Sequence, residues 1–226
     1  MHAPIRLRPF LASDLSTFAE AYDLTWGWEL SPDEQRPERM RHAEIYVIGN
    51  LLKSDFVRVA QLPDGSPGAL MCARLNWRTA PNPKEGEFEG LAEMHEALVG
   101  EQKKSALGRS CLEFEANLHK ANSRMIADHA ARTGGSREDR PELVFLIAHP
   151  NARRRGLAGM LLKLFEGKAL EAGANEAVLY TDSDCITAIY ERSGWRKTDE
   201  IPWRIEENED FRSWLFVKTL EPVSAA

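Results

Sequence analysis

No apolar run in this chain approaches the roughly 18 residues that a membrane-spanning helix needs, so no membrane span is expected. Cysteine is scarce: Cys72, Cys111 and Cys185 are odd in number and widely spaced. They imply no disulfide framework and fit a reducing interior. His119 and His129 have no cysteine at metal-ligand spacing, so no metal site is expected. The chain lacks the Gly-Lys-Ser/Thr of a Walker loop and the three-glycine dinucleotide fingerprint. Positive charge is also in deficit, 29 Lys and Arg against 35 Asp and Glu, a net −6. That balance argues against non-specific nucleic-acid binding, which depends on neutralising phosphates. Internal repeats and low-complexity segments are absent, and Met1-His2-Ala3-Pro4 opens with no signal-peptide pattern. The expectation is a soluble cytoplasmic protein without nucleic-acid or membrane partners.

What is present suffices for a globular fold. A length of 226 residues suits one domain with an elaboration, and 43% apolar residues can build a core. Residues 5–9 alternate apolar and basic side chains, as in a short strand that stops at Pro9. Ser13 and Asp14 can cap a helix carrying Leu15, Phe18, Ala21 and Tyr22 at helical spacing. After the turn-rich Ser31-Pro32-Asp33, a second helix is expected over 37–52. Segments 56–62 and 68–75 flank Pro63-Asp64-Gly65-Ser66-Pro67, a hairpin signal. Pro81, Pro83 and Gly86 make a loop, helices follow over 89–104 and 108–132, and 133–141 reads as an exposed connection. Residues 143–148 form a continuous apolar run, expected to be a strand buried on both faces and ended by His149-Pro150. A helix over 157–172, a strand over 177–180 and a short helix over 186–192, closed by Gly194, come next. Segments 195–203 and 211–220 can pair as a last hairpin; the latter is expected to complete the sheet and is a candidate support for a homodimer. The pattern is α/β or α+β: a mixed, mostly antiparallel sheet flanked by helices.

The chemistry concentrates between residues 143 and 159. A buried strand and a turn lead into Arg153-Arg154-Arg155-Gly156-Leu157-Ala158-Gly159, which opens a helix. The first turn of a helix has unpaired N–H groups and the positive end of the macrodipole. Small residues let an anion approach that backbone, and arginines add donors. The segment therefore suits a phosphate or pyrophosphate; a solvated arginine cluster at a helix start is the plainer alternative.

Arg153-x-x-Gly156-x-Ala158, after an apolar strand, resembles the Gln/Arg-x-x-Gly-x-Gly/Ala signature of the GNAT superfamily. Leu179 through Cys185, then Tyr190-Glu191-Arg192-Ser193-Gly194-Trp195, is similar to the strand and Tyr-x-x-x-Gly-aromatic segment that follow it. The resemblance spans about 1–30, 55–76 and 141–220, and implies one domain over 1–226 with a helical insertion at 77–140 before the fourth strand. It also implies an N-acetyltransferase that moves acetyl from acetyl-CoA, as cosubstrate, to a primary amine of a small molecule or peptide in a ternary complex. A domain that binds acetyl-CoA as an inactive sensor is the alternative.

The resemblance further implies residue roles. Backbone N–H groups of Arg153, Arg154, Arg155, Gly156, Leu157, Ala158 and Gly159 would hold the CoA pyrophosphate. Leu146 and Ala148 would pair with the pantetheine arm, Leu146 N–H polarising the thioester carbonyl. Tyr190 would protonate the leaving thiolate. Ser183 stands where an Asn is common, as a further cofactor contact. Glu142, eleven residues before Arg153, is the first candidate for general base, and His149 is its rival. Cys185 reads as a small core residue, because no nearby base activates it.

The 77–140 segment carries Glu85, Glu87, Glu89, Glu93, Glu96 and Glu101 with no Lys or Arg from 85 to 101. This is either an acidic wall that draws in a cation or a solvated helix face. Trp26 and Trp28, in the loop expected after the first helix, either stack on substrate or cover the core.

Overall fold

Pro63, Asp64 and Gly65 reverse the chain as their residue types require. Gly65 takes a φ of 91°, and the Asp64 carboxylate accepts from the Ser66 N–H at 3.0 Å and hydroxyl at 2.6 Å. The hairpin they close, β2 (Phe56–Gln61) and β3 (Pro67–Arg74), nucleates a sheet of seven strands. β1 (Arg6–Arg8) lies outside β2, and β4 (Glu142–Ala148) runs antiparallel to β3 on the other side. Then come β5 (Glu176–Asp182), β7 (Arg212–Thr219) and β6 (Arg196–Pro202), in that spatial order. The expected last hairpin exists, and β7 completes the sheet by pairing on both sides. The computed structural model describes residues 4–27, 35–83, 85–203 and 211–221. Met1–Ala3, Trp28 and the Ser31-Pro32-Asp33 turn lie outside them.

Among the described residues only β4 and β5 run parallel, and their ladder is one residue pair long, Glu142 with Val178, supported by a 2.9 Å bond from Val178 N–H to the Pro141 carbonyl. Beyond it the strands part. β4 also carries a bulge: Cys72 opposes Phe145 and Ala73 opposes Leu143, leaving Val144 as the extra residue. Leu143 and Leu146 therefore face one helical layer while Phe145 and Ile147 face the other. The expectation that 143–148 is buried on both faces holds only in part: Leu146 and Ala148 are half-buried, because the neighbour that would cover them has turned away.

α5 (Leu157–Glu171) covers the first face, burying Leu161, Leu162 and Phe165 against Met71, Leu143, Leu179 and Phe216. α1 (Leu15–Trp26) and α2 (Arg36–Leu52) cover the second over β2 to β4, through Phe18, Val47, Ile48 and Leu70. Asp14 does not cap α1. Its carboxylate takes two bonds from Arg8 at 2.7 Å and one from Leu11 N–H at 2.9 Å, fixing the turn from β1 instead.

The stretch between β3 and β4 holds α3 (Leu91–Gln102), packed on α2, and α4 (Ala106–Arg132). The Ser105 hydroxyl caps α4 by accepting from Gly108 N–H at 2.8 Å. Met125 and Ile126 seat α4 on Val178, Leu215 and Val217, the face of β5 and β7 opposite α5. An ion-pair cluster fastens its far end: Arg140 to Glu176 at 2.7 Å, His129 to Glu176 at 3.3 Å and to Asp199 at 3.6 Å, and Arg132 to Asp199. α4 thus completes the second layer, with a gap between it and α1–α2 directly over the point where β4 and β5 separate. A short helix, α6 (Ala188–Arg192), ends at Gly194 with a φ of 82°.

At the base of that split Glu142 is buried and bonded to Arg137, which stacks 4.0 Å over Trp77. Burial raises its carboxyl above the usual range, and Arg137 opposes the shift. Arg137→Ala leaves this carboxylate buried without its bonded guanidinium and is expected to cost about 3 kcal/mol. Glu142→Gln, which removes the charge as well, should cost less. Urea unfolding of the two variants measures the difference.

Candidate active site

The parting of β4 and β5 opens a cavity of about 200 Å³. Its floor is Leu143 to Leu146 of β4 and Leu179 to Asp182 of β5. Its sides are Tyr22, Asp23 and Trp26 of α1, Glu38, His42 and Tyr46 of α2, and Cys111, Phe114, Glu115 and Leu118 of α4. Tyr190, from α6, stands on the wall beside Asp182 and Cys185. A strand edge with no ladder partner exposes backbone donors and acceptors to whatever enters.

At the C-terminal end of β4 the chain turns through Pro150–Ala152 into the arginine segment. Arg154 takes a φ of 63°, the one non-glycine residue with positive φ among the described residues, and Gly156 follows at 76° as the residue before α5. The first α5 backbone bond runs from Met160 N–H to the Gly156 carbonyl, so the N–H groups of Leu157, Ala158 and Gly159 precede the helical ladder. Arg153, Arg154, Arg155 and Gly156 are exposed, and no atom lies within 4 Å of a side chain built on Gly156 or Gly159. The turn is therefore open to an anion. Arg153 is already engaged: it donates to the Ala148 carbonyl at 3.4 Å and to the Thr25 hydroxyl at 2.7 Å, tying the turn to α1.

Tyr190 packs against Trp195 and Phe216, with ring centroids at 6.5 and 5.7 Å. Burial, then the nearby Cys185 and Asp182, raises its phenol above the ordinary value, so it holds its proton. The same forces push the Cys185 thiol up to about 12, which leaves it protonated and a poor nucleophile. Asp182 is raised too, mainly by burial, although Cys185 and the Asp184 N–H bond its charged form. A mostly buried carboxyl with a raised pKa on a cavity wall suits proton transfer.

The structure does not bring Glu142, Ser183 or His149 onto this wall. Glu142 turns to Arg137. The Ser183 hydroxyl accepts from Arg212 N–H at 3.2 Å, and its own N–H bonds the Arg212 carbonyl at 2.9 Å, so it secures β5 to β7. His149 Nδ1 accepts from Asn151 N–H at 3.3 Å and belongs to the turn. All six glutamates of the acidic run are exposed and off the cavity, which leaves the solvated-face reading; Glu85 pairs with Arg58 and Glu101 with Lys104. Trp26 is the last residue of α1 rather than a loop residue, and it lines the cavity.

Sequence reasoning missed Glu115. It accepts from the Tyr22 hydroxyl at 3.1 Å and lies 3.7 Å from His42 Nε2. A signal existed: Leu107, Cys111, Phe114 and Leu118 form an apolar stripe on α4, and Glu115, four residues after Cys111, interrupts it. His119 is also explained here. Its Nδ1 meets the Tyr180 hydroxyl at 3.2 Å, and burial, reinforced by Lys53 and Arg137, lowers its pKa to about 4. Among the described residues no group of three His, Cys, Asp or Glu side chains could hold a metal ion.

No family model matches the sequence, and no curated protein matches it. Solved structures do match. The ribosomal-protein-S18-alanine N-acetyltransferase from Escherichia coli aligns with a TM-score of 0.55 at 9% identity over 98% of this chain and 97% of that one. Ard1 from Thermoplasma volcanium gives 0.53 at 11% identity, over 97% and 100%. A mosquito arylalkylamine N-acetyltransferase like 5b gives 0.51 at 17% identity, over 96% and 100%. With its mostly antiparallel sheet flanked by helices, its parted parallel pair and its open turn before α5, this chain has the GNAT acetyltransferase fold.

Proposed function

We propose that this protein is an N-acetyltransferase, transferring acetyl from acetyl-CoA to a primary amine by direct attack in a ternary complex. The observation that carries the reading is the split between the parallel strands β4 and β5, with an open helix-start turn after β4 and, after β5, a half-buried tyrosine beside a raised carboxyl. The whole chain acts as one domain in this reading, with residues 77–140 supplying a wall of the site.

Acetyl-CoA brings an activated thioester. The turn N–H groups from Arg153 to Gly159 hold its pyrophosphate, with Arg154 and Arg155 adding charge at the mouth. The free edge of β4 at Leu146 and Ala148 pairs with the pantetheine amides as a further strand, which requires Arg153 to release the Ala148 carbonyl. Leu146 N–H donates to the thioester oxygen as negative charge develops there. Asp182 takes the proton of the acceptor ammonium, a task that falls to it rather than to Glu142 because only Asp182 is on the wall. The neutral amine attacks the carbonyl carbon, the C–S bond breaks, the Tyr190 phenol gives its proton to the departing sulfur, and the second proton of the attacking nitrogen restores the phenol as the amide forms. Cys185, held as a thiol, forms no acyl intermediate.

Tyr190→Phe is expected to lower kcat by about 10²-fold or more with acetyl-CoA affinity near wild type; steady-state kinetics with calorimetry checks both. A base with a raised pKa works deprotonated, so kcat/KM should fall as pH drops through that raised range. Asp182→Asn should lose this acidic limb in a pH–rate profile. Gly156→Asp has room for its Cβ but incurs roughly 1–2 kcal/mol of left-handed strain and sets a carboxylate at the helix start. It should stay folded and lose acetyl-CoA binding. The deciding experiment is titration with acetyl-CoA followed by thiol release across a panel of amines. Binding with release establishes the reaction, binding without release on any amine points to the sensor alternative, and absence of binding refutes the reading.

A further inference from the structure

The acceptor end of the cavity has its own chemistry. Four aromatic rings close a circuit round it: Trp26 to Tyr22 at 5.3 Å, Tyr22 to Tyr46 at 4.6 Å, Tyr46 to Phe145 at 5.5 Å and Phe145 to Trp26 at 6.2 Å between centroids. All four line the cavity, and α1, α2 and β4 contribute them. Burial keeps both tyrosines neutral. Glu115 reaches this box from α4, bonded to the Tyr22 hydroxyl through Oε1. Aromatic walls with a carboxylate at one side form the standard receptor for an organic cation, which gains ring-face attraction and an ion pair once water is displaced.

Two further observations support a ligand here. The buried indole N–H of Trp26, on the cavity wall, has no hydrogen-bond partner among the described residues, a costly state that a bound polar molecule relieves. Among the described residues the wall also carries five carboxylates, Asp23, Glu38, Glu115, Asp182 and Asp184, against one guanidinium, Arg39, which already pairs with Asp23 at 3.1 Å, and one imidazole, His42. The reacting amine accounts for one positive charge, near Asp182 and Tyr190. It leaves Glu115, beside Tyr22 and His42, and the aromatic circuit, on the α1–α2–α4 side, to receive another part of the same molecule.

Resting on the proposed reaction, we infer that the acceptor is a short diamine, one amine held at Asp182 and Tyr190 for acetylation and a second ammonium held by Glu115 within the Trp26–Tyr22–Tyr46–Phe145 box. The size of the cavity, about 200 Å³ and shared with the acetyl end of the donor, favours a short aliphatic chain over a peptide. The α3–α4 segment therefore sets specificity: without α4 the box loses Glu115, the carboxylate bonded to Tyr22.

The test is calorimetric titration with 1,4-diaminobutane, 1-aminobutane and an alanyl peptide amide, with and without saturating CoA. The diamine should bind about ten-fold more tightly than the monoamine. Glu115→Gln should abolish that advantage, whereas Glu113→Gln, which removes the same charge from an exposed site on the same helix, should retain it. Equal affinity for diamine and monoamine, tighter binding of the peptide, or an undiminished advantage in Glu115→Gln overturns the inference. Thiol release from acetyl-CoA, followed on the same samples, reports separately on the reaction. A diamine preference without thiol release sinks the transferase and keeps the cation site; thiol release on monoamine and diamine alike does the reverse.

Discussion

The parting of β4 from β5 is the constraint on which the rest of the molecule depends. A parallel pair inside a sheet would ordinarily continue, because each lost ladder bond leaves backbone groups without partners. Here the ladder stops after Glu142 and Val178, and the bulge at Val144 turns β4 as it leaves. Everything at the site follows from that break. The two strand edges make the cavity floor, the turn into α5 follows the end of β4, and α6, after β5, sets Tyr190 on the wall. The strands are held in position by what lies round them: α5 on one face, α1 and α2 on half of the other, and α4 on the remainder.

Burial sets the chemical state of the site. Tyr190 and Cys185 keep their protons because the charged forms are desolvated, and the same effect lifts Asp182 and Glu142. The two carboxyls differ in their neighbours. Glu142 faces an arginine stacked on a tryptophan and is part of the structural joint at the base of the split; Asp182 faces the cavity. Under the proposed reaction this difference separates support from chemistry.

The helical stretch between β3 and β4 changes the character of the site. Its glutamate-rich first half is a solvated surface, as its exposure shows. Its second helix is anchored at one end by Ser105 and at the other by the cluster round Glu176 and Asp199, which aims a single carboxylate, Glu115, at the aromatic wall. Charge density along the sequence pointed to the wrong part of the segment, because a run of acids marks solvent exposure more often than a site. One acid on an apolar stripe is the rarer and more informative arrangement.

The sequence by itself determined the local structure: the hairpin from Pro63 and Gly65, the helices from their apolar periodicity, and the open turn from Gly156 followed by small residues. Dihedral preferences and short-range periodicity act over a few residues and are therefore written in order along the chain. It also carried, through the spacing of Arg153, Gly156, Ala158 and Tyr190, the resemblance that the fold agrees with. Only the tertiary structure decided which carboxylates meet the cavity. Glu142 and Glu115 look alike in sequence, yet a salt bridge removes the first and helix packing delivers the second from residues some seventy to ninety positions away from Tyr22 and His42. Ser183 stood in a motif and was taken by β7; Trp26 was expected in a loop and became a helix end on the wall. Contacts across such separations depend on how layers pack, and no local pattern encodes them.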